Sequence, residues 1–338
     1  MKKDNLGDVS EELYEHFKIE ADKGQDPLRV DKFIINRIEN TSRNRIQLAA
    51  KNGFIFVNNK PVKSNYKVKP FDEVKIMLAF PKRELELTGE NIALDVIYED
   101  DHILIINKPY DMVVHPGHGN YSGTMLNGLI YHFEKQKIND IHPGLVHRID
   151  KNTTGLLVVA KSDESLMFLT KQFYDRTVDR SYLALVWGDL KNDAGKIQGN
   201  IGRSLKNRKI MDVFPDGDYG KHAVTNYKVV QRFGYVTLVA CKLETGRTHQ
   251  IRAHFKYIKH PLFNDFQYGG DKILKGTVFN KYKQFIQNCF KIMPRQALHA
   301  ASLQFIHPST NKKVSFDAPI PDDFQSLLKK WEKYVEFI

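Results

Sequence analysis

Cysteine is scarce in this chain: 338 residues hold two, Cys241 and Cys289, and that count excludes a disulfide framework. Cys241 continues the strand-like run Val236-Thr237-Leu238-Val239-Ala240, where a buried reduced thiol is expected. Neither cysteine lies in an electropositive turn of the kind that activates a thiol nucleophile. Long apolar runs are missing too; nothing reaches the roughly 18 residues a membrane helix needs, and no polybasic amphipathic helix points to a membrane surface. The start Met1-Lys2-Lys3-Asp4-Asn5 leads into charged sequence rather than an apolar signal core, so the expectation is a cytoplasmic protein with no membrane partner. Internal repeats, long low-complexity segments and a Walker-type Gly-Lys-Ser/Thr ending are also lacking, which argues against solenoids and nucleoside triphosphate use. His115 with His118, and His249 with His254, lack the cysteine or carboxylate companions of a zinc set, so no metal is expected.

What is present is positive charge and aromatic surface. Lys plus Arg number 51 against 40 Asp plus Glu, a net charge of +11, and there are 15 Tyr and 21 Phe. A polyanionic partner is the leading inference. The charge is concentrated: residues 28–80 carry 11 Lys or Arg against 4 Asp or Glu. A solvated basic face is the plain reading of such a run. Here Ser42-Arg43-Asn44-Arg45 opens a helix, with Lys51, Lys60 and Lys63 nearby, a grouping able to offer cations and free backbone N–H groups to phosphates.

The organisation follows from breaks in periodicity. Residues 1–27 are charged and weakly periodic, closed by Gly24 and Pro27, and read as a flexible or loosely docked arm. Val30, Phe33, Ile34 and Ile38 recur at helical spacing, and a second helix runs from a Ser42 N-cap to a Gly53 stop. The run Phe54-Ile55-Phe56-Val57, the turn Asn58-Asn59 and the run 74–78 complete a small helix-helix-hairpin domain over 28–80. Residues 81–90 read as a linker and 91–338 as a catalytic domain. Its strand candidates are 103–106, 156–159, 182–186, 223–230, 235–243 and 302–306, with helices only at 162–177, 248–258 and 281–289. Strict βαβ winding is therefore disfavoured, and the predicted fold class is α+β with a mixed, mostly antiparallel sheet.

The most informative stretch is His147-Arg148-Ile149-Asp150, followed by Lys151-Asn152-Thr153-Thr154-Gly155 and the apolar run Leu156-Leu157-Val158-Val159. It sets one carboxylate between cations on a turn that feeds a buried strand, a place where rigid scaffolds display reactive groups. An Asp in a Gly- and Thr-rich turn is more often a turn former. A second stretch, Glu244-Thr245-Gly246-Arg247-Thr248-His249-Gln250-Ile251-Arg252, opens a helix with two guanidinium groups and no obvious acidic partners beside them. The two stretches read as parts of one site.

With Asn107-Lys108-Pro109, Val114-His115-Pro116-Gly117, Arg180-Ser181-Tyr182 and Leu298-His299-Ala300 in the same order and spacing, the chain from about residue 28 to about 321 resembles the RluA/RluD pseudouridine synthases. These enzymes isomerise uridine to pseudouridine in structured RNA. Ile149 stands where Leu is common, and Asn152 and Thr154 where Asp and Ser often occur; none of these removes a reactive group. The resemblance implies that Asp150 is the essential carboxylate, Arg252 its ion-pair partner and Tyr182 the aromatic against the target base. Arg148 would be a wedge filling the gap left by a flipped nucleotide, His147 an organiser of the turn that also meets the RNA, and Arg247 a further RNA contact. Residues 28–80 are similar to the RNA-binding module named after ribosomal protein S-four, which brings Arg43, Arg45, Lys60 and Lys63 to the RNA. No cofactor is implied, since the isomerisation conserves atoms and electrons. The expected partner is structured RNA, most of all large-subunit ribosomal RNA, with the protein acting as a monomer. Transfer RNA as substrate, and a non-catalytic RNA-binding or ribosome-assembly factor on the same scaffold, are the other readings.

Overall fold

In the computed structural model the described residues are 14–38, 43–51, 53–78, 88–117, 119–136, 143–207, 209–217 and 219–336. The chain divides into two units, Met1–Glu86 and Leu87–Ile338. His118, the Ser42 N-cap and most of the 81–90 linker lie outside the described residues.

In the first unit, helices Val30–Ile35 and Arg43–Lys51 pack over a four-stranded sheet. The sheet order is Tyr14–Glu20, Glu73–Leu78, Ile55–Val57, Lys60–Pro61. Val30, Phe33, Ile34, Ile46, Ile55, Val57 and Val74 form its core. Asn58 and Asn59 both hold positive φ, 51° and 62°, which matches the twist of a two-residue hairpin turn. Gly53, at φ 77°, ends the second helix as the sequence suggests. One expectation is corrected here. The segment read as a loose arm supplies the strand Tyr14–Glu20, paired antiparallel along Glu73–Leu78. Its alternating charges, Glu15, Lys18 and Glu20, conceal the strand period from a hydrophobicity reading, and backbone pairing supplies the order that apolar burial does not.

The second unit is built on an 11-stranded sheet. Its main path runs Met211–Phe214, Ala194–Arg203, Lys221–Arg232, Val236–Leu243, Asp179–Trp187, Leu298–Ile306, Thr154–Ala160, Ile103–Lys108, Val96–Glu99. Every pairing is antiparallel except Thr154–Ala160 with Leu298–Ile306, so the expected mostly antiparallel α+β architecture holds. Thr154–Ala160 is buried at every position, as its unbroken apolar run requires.

Helices Met125–Lys135 and Gln250–Tyr257 cover one face of the sheet, closing a core that includes Leu129, Phe133, Leu157, Val239, Ile251 and Phe255. Helices Asn280–Ile292 and Asp322–Val335 close another around Trp187, Phe263, Ile286, Phe324 and Trp331. The helices Met125–Lys135 and Asp322–Val335 and the strand Ala194–Arg203 are absent from the sequence reading. Cys241 and Cys289 are buried free thiols within these cores.

Candidate active site

Asp150 sits on the turn between the strands Gly144–Leu145 and Thr154–Ala160, at the wall of a cavity of about 770 Å³. Arg148, Asp150, Tyr182, Arg247, His249 and Arg252 all line it, so the two stretches singled out in the sequence do meet.

Four devices fix the turn. Gly155 holds φ 112°, and a Cβ there would stand 2.1 Å from the Ala300 carbonyl oxygen; only glycine lets the parallel pairing of Gly155 with Ala300 close. Beside it Thr154 Oγ1 bonds His299 Nδ1 at 2.9 Å. Behind the turn the Lys108 ammonium, fully buried, donates to the carbonyls of Pro109, Met112 and Lys151 at 2.6, 2.9 and 2.9 Å. Arg295 donates to the Asn152 carbonyl at 3.1 Å and grips Asp323 with its other nitrogens. Burial, and next the charge of Arg295, push the Lys108 ammonium down to about 7. With no exposed surface Lys108 cannot reach a substrate; the Asn107-Lys108-Pro109 motif holds the turn from behind.

Arg252 is a buried fork with four anchors. Its Nη1 donates to Asp150 Oδ2 at 3.0 Å, its Nε and Nη2 to Asp265 at 2.7 and 2.9 Å, and Nη2 also to Gln267 Oε1 at 2.6 Å. The Tyr268 ring lies under the guanidinium at 4.8 Å. Burial works against this charge, but Asp265 and then Asp150 outweigh it and raise the guanidinium above its ordinary value. The sequence reading found no acidic partner beside the two arginines; the structure supplies Asp265, fully buried and 13 residues on. Asp265, Gln267 and Tyr268 lie in a turn-rich loop, where nothing in spacing marks them as partners of a helix.

Tyr182 is nearly buried at the cavity floor, and its hydroxyl makes no hydrogen bond among the described residues. Burial pushes its phenol above the ordinary value. His147, expected also at the RNA, accepts the Val158 N–H on Nε2 at 3.0 Å and stacks on Phe173 at 4.7 Å. Burial, and next Arg180, push its imidazole down to about 3. Arg148 is exposed at the cavity rim. Arg247 donates from Nε to the His222 carbonyl at 3.2 Å while lining the same cavity. Gln250, buried, ties the loop before the helix together: its Oε1 accepts from Thr245 Oγ1 and the Arg247 N–H, and its Nε2 donates to the Val224 carbonyl.

In the first unit Lys60 and Lys63 are exposed. Arg43, expected at phosphate, spends its Nε on the buried Asp31 at 3.2 Å, where Arg29 and Gln47 also donate. The side chain of Arg45 lies outside the described residues. His249 and His254 do not converge: the first meets Tyr268 and the second Thr225. Among the described residues no group of three or more His, Cys, Asp or Glu is placed to hold a metal ion.

A carboxylate held by a buried arginine at the wall of a nucleotide-sized cavity is the layout of an enzyme site that takes in a small group from outside. Comparison with known proteins gives the family. Residues 102–257 match the family model described as RNA pseudouridylate synthase, and residues 28–74 match the S4 domain. An RNA pseudouridine synthase of Chlorobaculum parvum is 43% identical over 317 residues, covering 92% of this chain and 96% of that relative. Ribosomal large subunit pseudouridine synthase D of Neisseria meningitidis serogroup A is 40% identical over 301 residues, covering 89% of this chain and 78% of that relative. Human RNA pseudouridylate synthase domain containing 4 shares the fold, with a TM-score of 0.55 at 22% identity over 70% of this chain and 92% of its own. This chain belongs to the RNA pseudouridine synthase family: it is an isomerase acting on RNA, with an N-terminal S4 domain.

Proposed function

We propose that the enzyme isomerises uridine in large-subunit ribosomal RNA, with Asp150 as the reacting carboxylate. The observation that carries this reading is the Asp150 to Arg252 contact at 3.0 Å on the cavity wall. Isomerisation breaks the bond from ribose to a uracil nitrogen, turns the retained base and rejoins it through a ring carbon. A carboxylate serves by attacking the anomeric carbon, by stabilising an oxocarbenium-like centre, or by taking a neighbouring ribose proton. Each route uses the carboxylate as an anion, and Arg252 places a fixed positive charge 3.0 Å from it.

The cavity lies within the roughly 300–1,000 Å³ of small-molecule sites and would take a flipped nucleotide. Tyr182 would stack on or face the base, Arg148 would fill the gap left in the RNA, and Arg247 would meet backbone phosphate. Exposed Lys60 and Lys63 of the S4 domain add phosphate contacts. The ribosomal substrate is supported by relatives named for the ribosomal large subunit that are about 40% identical over nearly nine tenths of this chain. Pseudouridine mapping by chemical labelling in cells with and without this protein tests the substrate. Loss of sites from large-subunit ribosomal RNA is expected; loss confined to transfer RNA would contradict it.

A further inference from the structure

The helix Asp163–Asp175 ends at the rim of the cavity, and the last turn carries two aromatic rings with different fates. Phe173 is partly buried, stacked on His147 at 4.7 Å with the Arg180 guanidinium 5.5 Å from its ring. Tyr174, the next residue, is 85% exposed and yet lines the same cavity as Asp150. A lone exposed tyrosine is ordinary surface. Two features set this one apart.

The first is a rigid support. Gln172 is buried and exchanges two hydrogen bonds of 2.8 Å with the backbone of Ile306, while its carbonyl accepts the Thr177 N–H at 3.0 Å. Arg176 closes the helix in the left-handed region at φ 59°. On so fixed a backbone, a partner lying on Tyr174 orders little beyond the two side-chain torsions of the ring. The second feature is charge. Arg148, Arg176, Arg180 and Arg247 line the cavity together with the acids Asp150 and Asp175. Both acids are engaged, Asp150 by Arg252 at 3.0 Å and Asp175 by Lys171 at 2.7 Å, whereas the four arginines have no ion pair among the described residues. An aromatic face among uncommitted guanidinium groups has the make-up of surfaces that hold single-stranded RNA, where bases stack on the ring and phosphates meet the cations.

We propose that Tyr174 is the platform on which the nucleotide next to the flipped uridine stacks, and that Arg176 meets the phosphate joining the two. A uridine drawn in beside Asp150 leaves its neighbour unstacked at the rim, where Tyr174 stands. Stacking on the ring replaces part of what that neighbour loses. The contact therefore favours a target uridine whose neighbour swings out readily, in a loop or bulge rather than a duplex, and adds selectivity without reading base edges. Tyr174 is a positioning residue, and the chemistry stays with Asp150.

This role rests on the cavity taking a flipped uridine, as proposed above, and the test separates the two. A synthetic fragment carrying a uridine that mapping assigns to this enzyme is made intact, and with an abasic nucleotide on the 5′ or the 3′ side of that uridine. Pseudouridine formation is followed in single turnovers at increasing concentrations of full-length protein. On intact RNA, Tyr174→Ala should raise the protein concentration giving half-maximal rate by about 5- to 150-fold, the span for one base lost from an aromatic ring, and leave the maximal rate within a few fold. Tyr174→Trp should bind at least as tightly as the parent. One of the two abasic RNAs should show the same loss with the parent protein, and Tyr174→Ala should add little to it, because either change alone removes the same contact. A merely structural role would not produce that non-additivity. Arg176→Ala should flatten the salt dependence of binding by about one unit of slope. A parent-like half-maximal concentration in Tyr174→Ala, a loss that adds in full to that of both abasic RNAs, or a fall in maximal rate alone would overturn the platform and leave Asp150 in place; an unchanged salt slope would remove Arg176. Turnover by Asp150→Asn at the parent's rate would overturn the site itself, and the platform with it.

Discussion

Arg252 meets Asp150 through a single N–H at 3.0 Å and keeps its two-pronged grip for Asp265, at 2.7 and 2.9 Å. The Asp150 to Arg252 ion pair is therefore the outer half of a triad whose inner half, Arg252 with Asp265, is buried. Asp265 fixes the guanidinium, and the guanidinium in turn fixes Asp150 without claiming both of its oxygens.

Replacing Arg252 with Met should therefore do more than silence the enzyme. It strands Asp265, which has no exposed surface, and breaking such a pair costs about 3–5 kcal/mol. Chemical denaturation should show that loss together with loss of turnover. Arg252→Lys, a point charge in place of a planar fork, should be intermediate in both. Asp265→Asn should lower the turnover number more than it weakens RNA binding, because it loosens the cation rather than the RNA surface. Parent-like stability of Arg252→Met would show that the triad is not held this way.

Acid should weaken the fold before carboxylates titrate. His147, His254 and His299 are driven from 6.5 to about 3, 4 and 4, chiefly by burial, so each is neutral in the folded protein at neutral pH. The unfolded chain binds their protons first, so their contribution is complete above 6.5 and is lost as pH falls toward 4. Each group adds up to about 1.4 kcal/mol per pH unit to the slope in that window. Thermal stability should fall steeply between about pH 7 and about pH 4, and His299→Asn should make the fall shallower.

Gly155→Ala places a methyl group where the Ala300 carbonyl oxygen already stands, in a backbone conformation foreign to alanine. A loss well above about 1 kcal/mol is expected, with the Thr154 to His299 bond disrupted and turnover reduced. Unchanged melting would mean that the parallel pairing does not position the Asp150 turn.

Lys60→Glu with Lys63→Glu should weaken binding to structured RNA and flatten its salt dependence, by about one unit of slope for each phosphate no longer neutralised. Turnover of RNA already bound should change little. Equal affinity and an equal salt slope would make this face of the S4 domain solvated surface.

Much of the site is legible in the sequence because its reactive groups come in short contiguous stretches. The turn around Asp150 and the helix start around Arg252 announce themselves, and their resemblance to a family aligns them. Asp265 is not legible: an acid inside Leu262-Phe263-Asn264-Asp265 gives no clue to its partner, since the pairing depends on the return of a loop in three dimensions. His249 reads from the sequence only as a candidate metal ligand, because its orientation comes from a left-handed backbone and from Tyr268, 19 residues away. In the fold, strands with continuous apolar runs are clear. The strand Ala194–Arg203 is concealed by Gly195, Gly199 and Gly202, which look like loop but allow close packing against Tyr227, Val213 and Tyr219. The helix Asp322–Val335 does carry a signal, Phe324, Leu327 and Trp331 at helical spacing after Pro321, the kind of amphipathic stripe that ends a domain.

The central claim is that Asp150 is the carboxylate that performs the isomerisation, and purified Asp150→Asn tests it most directly. The substitution preserves shape and the basic surface while removing the charge, so RNA affinity should stay within a few fold of the parent. Pseudouridine formation in unmodified large-subunit ribosomal RNA, measured in a single turnover, should be nearly abolished. Formation at a rate close to the parent's would contradict the account.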